Sequence, residues 1–277
     1  MKPGRKHGIP ADDPAHSELN ATNARICADD LISCSVMPDA VDSLFYGTIP
    51  LDFLIRSAIH PCPYLPGMEA REEVFKATDF PPELYHDFMD VGFRRAGLLF
   101  YRTACPSCSE CRPIRVPVGD FQPSKSQRRV LRKSRDIDVR VGRPRYSREK
   151  LTLYTDYLDW QHSRSHEDPS SLRDWLYTTC INTVEFEYRL ARRLVAVGIA
   201  DLCSRSLSSV YVFYDPDYAS RSLGTFSALQ EILFCRDHRI PHYYLGFLVA
   251  DCPSMSYKTR FRPHERLCRS LKWARSE

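Results

Sequence analysis

Lys125, Arg128, Arg129, Arg132 and Lys133 stand at i, i+3, i+4, i+7 and i+8. Those positions share one face of an α-helix. Five like charges in one stripe repel each other and weaken an isolated helix, and Asp136, past its end, is the one acid within four residues of any of them. A polyanion would relieve that repulsion through phosphate contacts that ignore base sequence and weaken with salt. The plainer alternative is a solvated basic face. A second group is Cys105, Cys108 and Cys111, spaced by two residues, with Cys62 in HPCPYLPG as the nearest fourth thiol. Thiolates at such intervals can surround one zinc ion or anchor an iron–sulfur cluster. Separate thiols in a turn are the alternative.

Arg221, Gly224 and Phe226 sit where acetyltransferases carry an (Arg/Gln)-x-x-Gly-x-(Gly/Ala) loop. Small residues there let backbone N–H groups and a helix N-terminus approach the CoA pyrophosphate. Phe226 replaces the last small residue and is expected to block that approach, which argues against acetyl-CoA as donor. Polar and aromatic residues gather at expected strand ends: Asp201, Tyr211, Tyr214, Asp215, Tyr244, Tyr257 and Lys258. An acid such as Asp201 at the end of an apolar strand is unusual; it caps a turn or serves a cleft.

The elements that must hold these groups follow from periodicity. Pro81 and Pro82 open a helix carrying Leu84, Phe88 and Val91, which Gly92 ends. FRRAGLLFYRT and RPIRVPV read as strands on either side of the cysteine turn. Ser124 is a fitting N-cap for the basic helix, and IDVRV alternates as a strand does. SREKLTLYTDYLDWQHSR has Leu151, Tyr154 and Leu158 at helical spacing, and SSLRDWLYTTC is a shorter helix. VEFEYRL, LVAVGIADL and SSVYVFYD are strands. A helix with Leu223, Phe226, Leu229 and Leu233 inward leads to the strand HYYLGFLV. Helix, helix, three antiparallel strands, crossover helix and strand is the order of the GNAT-like acyltransferase fold. The expected organisation is α+β: a loose, proline-rich extension over 1–42, a region with the cysteine motif and basic helix over 43–142, and the acyltransferase domain over 143–277.

Composition narrows the class. The chain has 277 residues, 43% hydrophobic and 27% charged, with a formal net charge of +4, an ordinary globular balance. That charge is uneven: residues 125–150 carry eleven Lys/Arg against three Asp/Glu, or +8, which leaves −4 elsewhere. A basic block on an otherwise acidic chain fits a polyanionic partner on one face. No apolar run is long enough for a membrane span. The N-terminus lacks the apolar core of a secretory signal. Eleven cysteines without such a signal read as reduced thiols or metal ligands, and the cytoplasm is the expected compartment.

CPYLPG (62–67), GFRRAG (92–97), YRTACPSCSECRPIRV (101–116), FQPSKSQRR (121–129), SSVYVFYDPD (208–217), RSLGTFSALQEI (221–232), YYLGF (243–247) and MSYKTRFRPHE (255–265) together resemble the bacterial leucyl-tRNA–protein transferases, a branch of the arginyl-tRNA–protein transferase superfamily. The resemblance runs from Cys62 to Glu265. It implies cytosolic enzymes of the N-degron pathway that pass Leu or Arg from charged tRNA to proteins beginning with Asp or Glu. The eukaryotic arginyl branch binds a metal or cluster with paired cysteines; here Leu65 stands in one such position, and Cys108 and Cys111 are separated. The resemblance adds Gln127 to the tRNA-binding residues Lys125, Arg128, Arg129, Arg132 and Lys133. An acidic acceptor calls for a cation, and Arg94, Arg95, Lys258 and Arg260 are the candidates. Asp201 is expected to help deprotonate the amine, with Tyr211, Tyr257 and Lys258 at the ester. Cofactor chemistry is not required, because the ester is already activated. The alternatives are arginyl transfer, acetyl-CoA-dependent acetylation, and a Cys-rich RNA-binding or redox-sensing module.

Overall fold

The computed structural model describes residues 54–162 and 169–276; the expected extension over 1–42 lies outside them. The helix opened by Pro81 and Pro82 forms as α1, Pro82–Asp90. Proline at the first turn loses no intrahelical hydrogen bond. Its buried face is Tyr85, His86, Phe88 and Met89, and Gly92 leaves the helix at φ +96°. The helix packs over a small antiparallel sheet of β1 (Ile55–Arg56), β4 (Glu72–Lys76), β6 (Leu99–Thr103) and β5 (Arg94–Ala96). Phe75, Phe80, Phe88, Phe93 and Phe100 fill the space between them; Phe75 stacks on Phe100 at 5.0 Å between ring centres. A two-stranded ribbon, β2 (His60–Pro61) with β3 (Glu69–Ala70), lies beside this unit in the chain.

The large sheet has eight strands. In chain order they are β7 (Arg112–Pro117), β8 (Ile137–Gly142), β9 (Thr183–Leu190), β10 (Arg193–Cys203), β11 (Ser206–Tyr214), β12 (His242–Leu248), β13 (His264–Leu267) and β14 (Trp273–Ser276). In space they run β14-β13-β7-β12-β11-β10-β9-β8. The boundary expected after residue 142 therefore passes through one continuous sheet, because β7 and β8 pair with strands from beyond it.

The expected helices lie where periodicity put them. The basic helix α2 spans Lys125–Lys133 and begins with a reciprocal capping box: the Gln127 amide N–H donates to Ser124 Oγ, and Ser124 N–H donates to the Gln127 side chain. α3, Arg148–His162, buries Leu153, Tyr154, Tyr157 and Leu158. After α4, Pro169–Leu172, the chain runs through a wide π-type turn, Arg173–Tyr177. The crossover helix α5, Leu223–Asp237, then makes β11 and β12 the one parallel pair among these strand contacts. Antiparallel β9, β10 and β11, then a crossover helix and a parallel strand, is the acyltransferase arrangement expected from the sequence.

Candidate active site

Parallel pairing of β11 and β12 covers three register positions and ends where Ser208 faces Tyr244. β11 continues to Tyr214 and β12 to Leu248, so the two strands part and form a fork. Buried cations occupy its root. Arg94, from the small sheet, donates from Nη1 to Ser208 Oγ at 2.8 Å and from Nη2 to the Ser209 carbonyl at 2.6 Å. Lys258 Nζ donates to the Phe247 carbonyl at 2.6 Å. Both side chains approach Gly246, where an added Cβ would lie 3.4 Å from Lys258 Nζ and 3.5 Å from Arg94 Nη2. Gly246 has φ +94°, a conformation only glycine adopts at low cost. Arg94 is 3% exposed, pairs with no carboxylate among the described residues, and has a buried Nε without a partner there. A guanidinium in that state is costly without an anion. The fork is therefore prepared for a negatively charged or strongly polar group.

Neighbouring residues on a strand face opposite sides of the sheet, and the fork uses both. Ser208 and Tyr244 face the small sheet; the Tyr244 hydroxyl meets Asp90 and Arg115. Ser209 and Tyr243 face α5. The Tyr243 hydroxyl donates to Glu231 Oε2 at 2.9 Å, and Ser227 Oγ donates to Glu231 Oε1 at 2.8 Å.

Several expected site residues have other duties. Asp201 is wholly buried and accepts two hydrogen bonds from Arg95, at 2.8 and 2.6 Å, and one from Thr183 at 2.9 Å. Burial and three hydrogen bonds commit it to a core ion pair, and Arg95, equally buried and also holding the Gly97 carbonyl at 2.6 Å, is committed to the same pair and does not line the fork. Tyr211 is buried in the core, edge-on to Tyr154 at 6.0 Å between ring centres. Gln127 is buried, closing its own helix cap and donating to the Arg260 carbonyl at 3.2 Å; it cannot face a nucleic acid. Arg260 is exposed and lies against the basic helix rather than with Arg94. Tyr257 is half-buried near Tyr243.

Lys125, Arg128, Arg129, Arg132 and Lys133 all lie exposed on one side of α2, and none forms an ion pair among the described residues. The stripe borders the start of α5: Lys133 Nζ donates to the Ser220 carbonyl at 2.6 Å, and Arg221 holds both the Lys133 carbonyl and Asp136. Phe226 does not obstruct that helix end. Its ring turns into the core against Tyr188, 5.6 Å between centres. What the loop lacks is a free Arg221, since Asp136 holds it.

The cysteines do not form the expected metal centre. Cys62 and Cys108 stand close enough to Cys105 to raise its thiol pKa, although burial is the larger cause. Cys62 Sγ, however, accepts from the Leu65 N–H, and Cys105 Sγ faces the Arg71 carbonyl. Among the described residues no three His, Cys, Asp or Glu side chains converge as ligands do. The residues do not fit zinc or a cluster.

Two family models match the chain: "Arginine-tRNA-protein transferase, N terminus" over residues 60–129 and "Arginine-tRNA-protein transferase, C terminus" over 149–268. An aspartate/glutamate leucyltransferase of Pseudomonas putida strain W619 is 37% identical over 80% of this chain and 93% of that one. The protein of the same description from Pseudomonas aeruginosa strain LESB58 is 36% identical over 80% and 92%. The chain belongs to the arginine-tRNA-protein transferase family. The C-terminal domain of a putative lysylphosphatidylglycerol synthetase from Agrobacterium fabrum overlays 73% of this chain and 65% of that one, at a TM-score of 0.45 and 14% identity. No helix among the described residues is long and apolar enough to cross a membrane.

Within this family member, sequence reasoning missed Ser208, Ser209, Tyr243, Gly246 and Glu231. The available signal was Ser227 and Glu231, one helical turn apart among the apolar residues Phe226, Ala228, Leu229 and Ile232.

Proposed function

We propose that this protein transfers leucine from Leu-tRNA to the α-amino group of proteins beginning with Asp or Glu, marking them for N-degron degradation. The relatives described as aspartate/glutamate leucyltransferases support it over nearly their whole length. The observation that carries it is Arg94, a buried cation without a carboxylate at the root of the strand fork. An acceptor's first side chain would supply the missing anion, with Lys258 beside it. A charge-assisted pair of this kind rejects Asn and Gln, which leave the guanidinium uncompensated. The exposed stripe of α2 meets the tRNA backbone, and its place at the start of α5 brings the charged 3′ end towards the fork. The ester is already activated, so alignment and carbonyl polarisation suffice, without a cofactor. The reaction belongs in the cytoplasm, where charged tRNA is found.

A second donor remains in view because the matching family models carry the arginine description. Transfer of labelled Leu or Arg from tRNA to peptides differing only in residue one decides between them. Leu passing to Asp and Glu peptides, and falling at least a hundredfold with Asn, is the expected result. Transfer of Arg alone overturns the donor; efficient transfer to Lys or Arg peptides overturns the acceptor.

A further inference from the structure

α5 buries a carboxylate at the back of the fork. Glu231 and Ser227 are fully buried, as are Tyr188 and, nearly so, Tyr243. Tyr188 and Ser227 share a 2.9 Å hydrogen bond, so the hydroxyls of β9, α5 and β12 meet at one acid. Ser209, the first β11 residue beyond the parallel pairing, also reaches both Glu231 and Tyr243. β10 makes room for the group. A Cβ on Gly198 would stand 2.8 Å from Ser227 Oγ and 3.1 Å from Glu231 Oε1. Buried polar groups at this density cost stability unless hydrogen bonds satisfy them, and here hydroxyls hold the Glu231 carboxyl.

Ser209 links the two faces. Its carbonyl holds Arg94 and its hydroxyl turns to Glu231. Resting on the leucyl-transfer reading above, we propose that Glu231 is the proton store of the reaction, loaded from the fork through the hydroxyls of Ser209 and Tyr243. The acceptor's ammonium gives one proton to a hydroxyl, which passes its own to the Glu231 carboxylate. The freed lone pair forms the C–N bond to the leucyl carbonyl. The ester C–O bond breaks, and the ribose oxygen leaves with a second proton from the same nitrogen. Glu231 then returns its proton to solvent. Glu231 touches no substrate; it is a positioning residue that acts through two hydroxyls.

Its ionisation suits the task. Burial pushes the carboxyl up to about 7, against the opposing hydrogen bonds of Ser227, Tyr243 and Ser209, and a base near the working pH is the most effective. The titratable groups facing it are Tyr188 on β9, Tyr243 on β12 and Cys235 on α5, and burial raises the pKa of all three, which keeps them neutral at pH 7; Tyr257 lies beyond Tyr243, and β10 approaches with Gly198.

The experiment is single-turnover transfer from preformed Leu-tRNA to an Asp peptide between pH 5.5 and 9, with infrared titration of the carboxyl band. The wild-type rate should rise through about pH 7. With Glu231→Gln the rise should move to the amine's own ionisation, near 8, slowing transfer about fivefold at pH 7. Tyr243→Phe should move it the same way with the carboxyl retained, and it decides alone if Glu231→Gln does not fold. An unmoved midpoint in a folded variant overturns the proposal. So does a carboxyl band that titrates near 4 in the wild type, whether or not Leu is the donor. Failure of the wild type to transfer Leu from any tRNA would instead defeat the leucyl-transfer reading.

Discussion

Replacing Asp201 by Asn should cost stability, not chemistry. The carboxylate accepts three hydrogen bonds, two of them from a guanidinium that is itself fully buried. Asparagine keeps one acceptor and turns an N–H₂ group towards an Arg95 N–H donor. It also leaves Arg95 as an isolated charge in the core. Two charges in contact at an effective dielectric near 20 attract by about 4 kcal/mol or somewhat more, and breaking a buried pair costs about 3–5 kcal/mol. For a domain of this size that lowers the thermal midpoint by roughly 10 °C. Urea unfolding of wild type and Asp201→Asn measures the loss. Arg95→Met with Asp201→Leu removes both charges and should recover most of it. Single-turnover transfer, corrected for the folded fraction, should stay within about threefold of wild type, far less than the loss of a catalytic base. A variant as stable as wild type but slower by two orders of magnitude would refute the reasoning and return Asp201 to the chemistry.

Removing Arg128 and Arg129 together should weaken tRNA binding and lower the slope of log affinity against log salt by about 2, read by filter binding over a salt series; an unchanged slope excludes α2 from the interface. Because the Glu231 carboxyl is raised to about 7 in the fold, its favourable share of stability is complete below the unfolded value, near 4.3, and is lost as pH rises through 7. Glu231→Gln should therefore gain on wild type by up to about 3 kcal/mol between pH 5 and pH 9, followed by denaturant titration at each pH. Gly97 has φ +60°, and a Cβ there would lie 2.5 Å from the Asp174 carbonyl oxygen, so Gly97→Ala should destabilise by about 1–3 kcal/mol or more in the same assay.

Local signals carried well from sequence to structure. Ser124 announced its helix because an N-cap is a local signal, and IDVRV alternated as the edge strand it forms. Lys125–Lys133 kept its stripe because helical phase is a local property. The failures share a different cause. Asp201 looked like a lone acid at a strand end because its partner Arg95 lies 106 residues away. Gln127 resembled its cationic neighbours in sequence, yet its position in the helical phase turns it inward. Phe226 looked obstructive from its place in a loop pattern, while the direction of its ring depends on Tyr188, from a distant strand. The strand fork itself is a matter of register, and register between β11 and β12 is decided by what packs on each face.

β7 has a bearing on how the molecule is made. It is synthesised early, yet its two neighbours in the sheet are β12 and β13, which close over it from opposite sides. Until they emerge, both edges of Arg112–Pro117 display unpaired backbone groups, the kind of template on which chains pair wrongly. Roughly 150 residues separate β7 from β13, which at about 5–20 residues per second is on the order of ten to thirty seconds on the ribosome. A nascent chain in that interval is a natural client for chaperones. A chain that stops short of β13 leaves one side of β7 open, an edge on which a second such chain could pair.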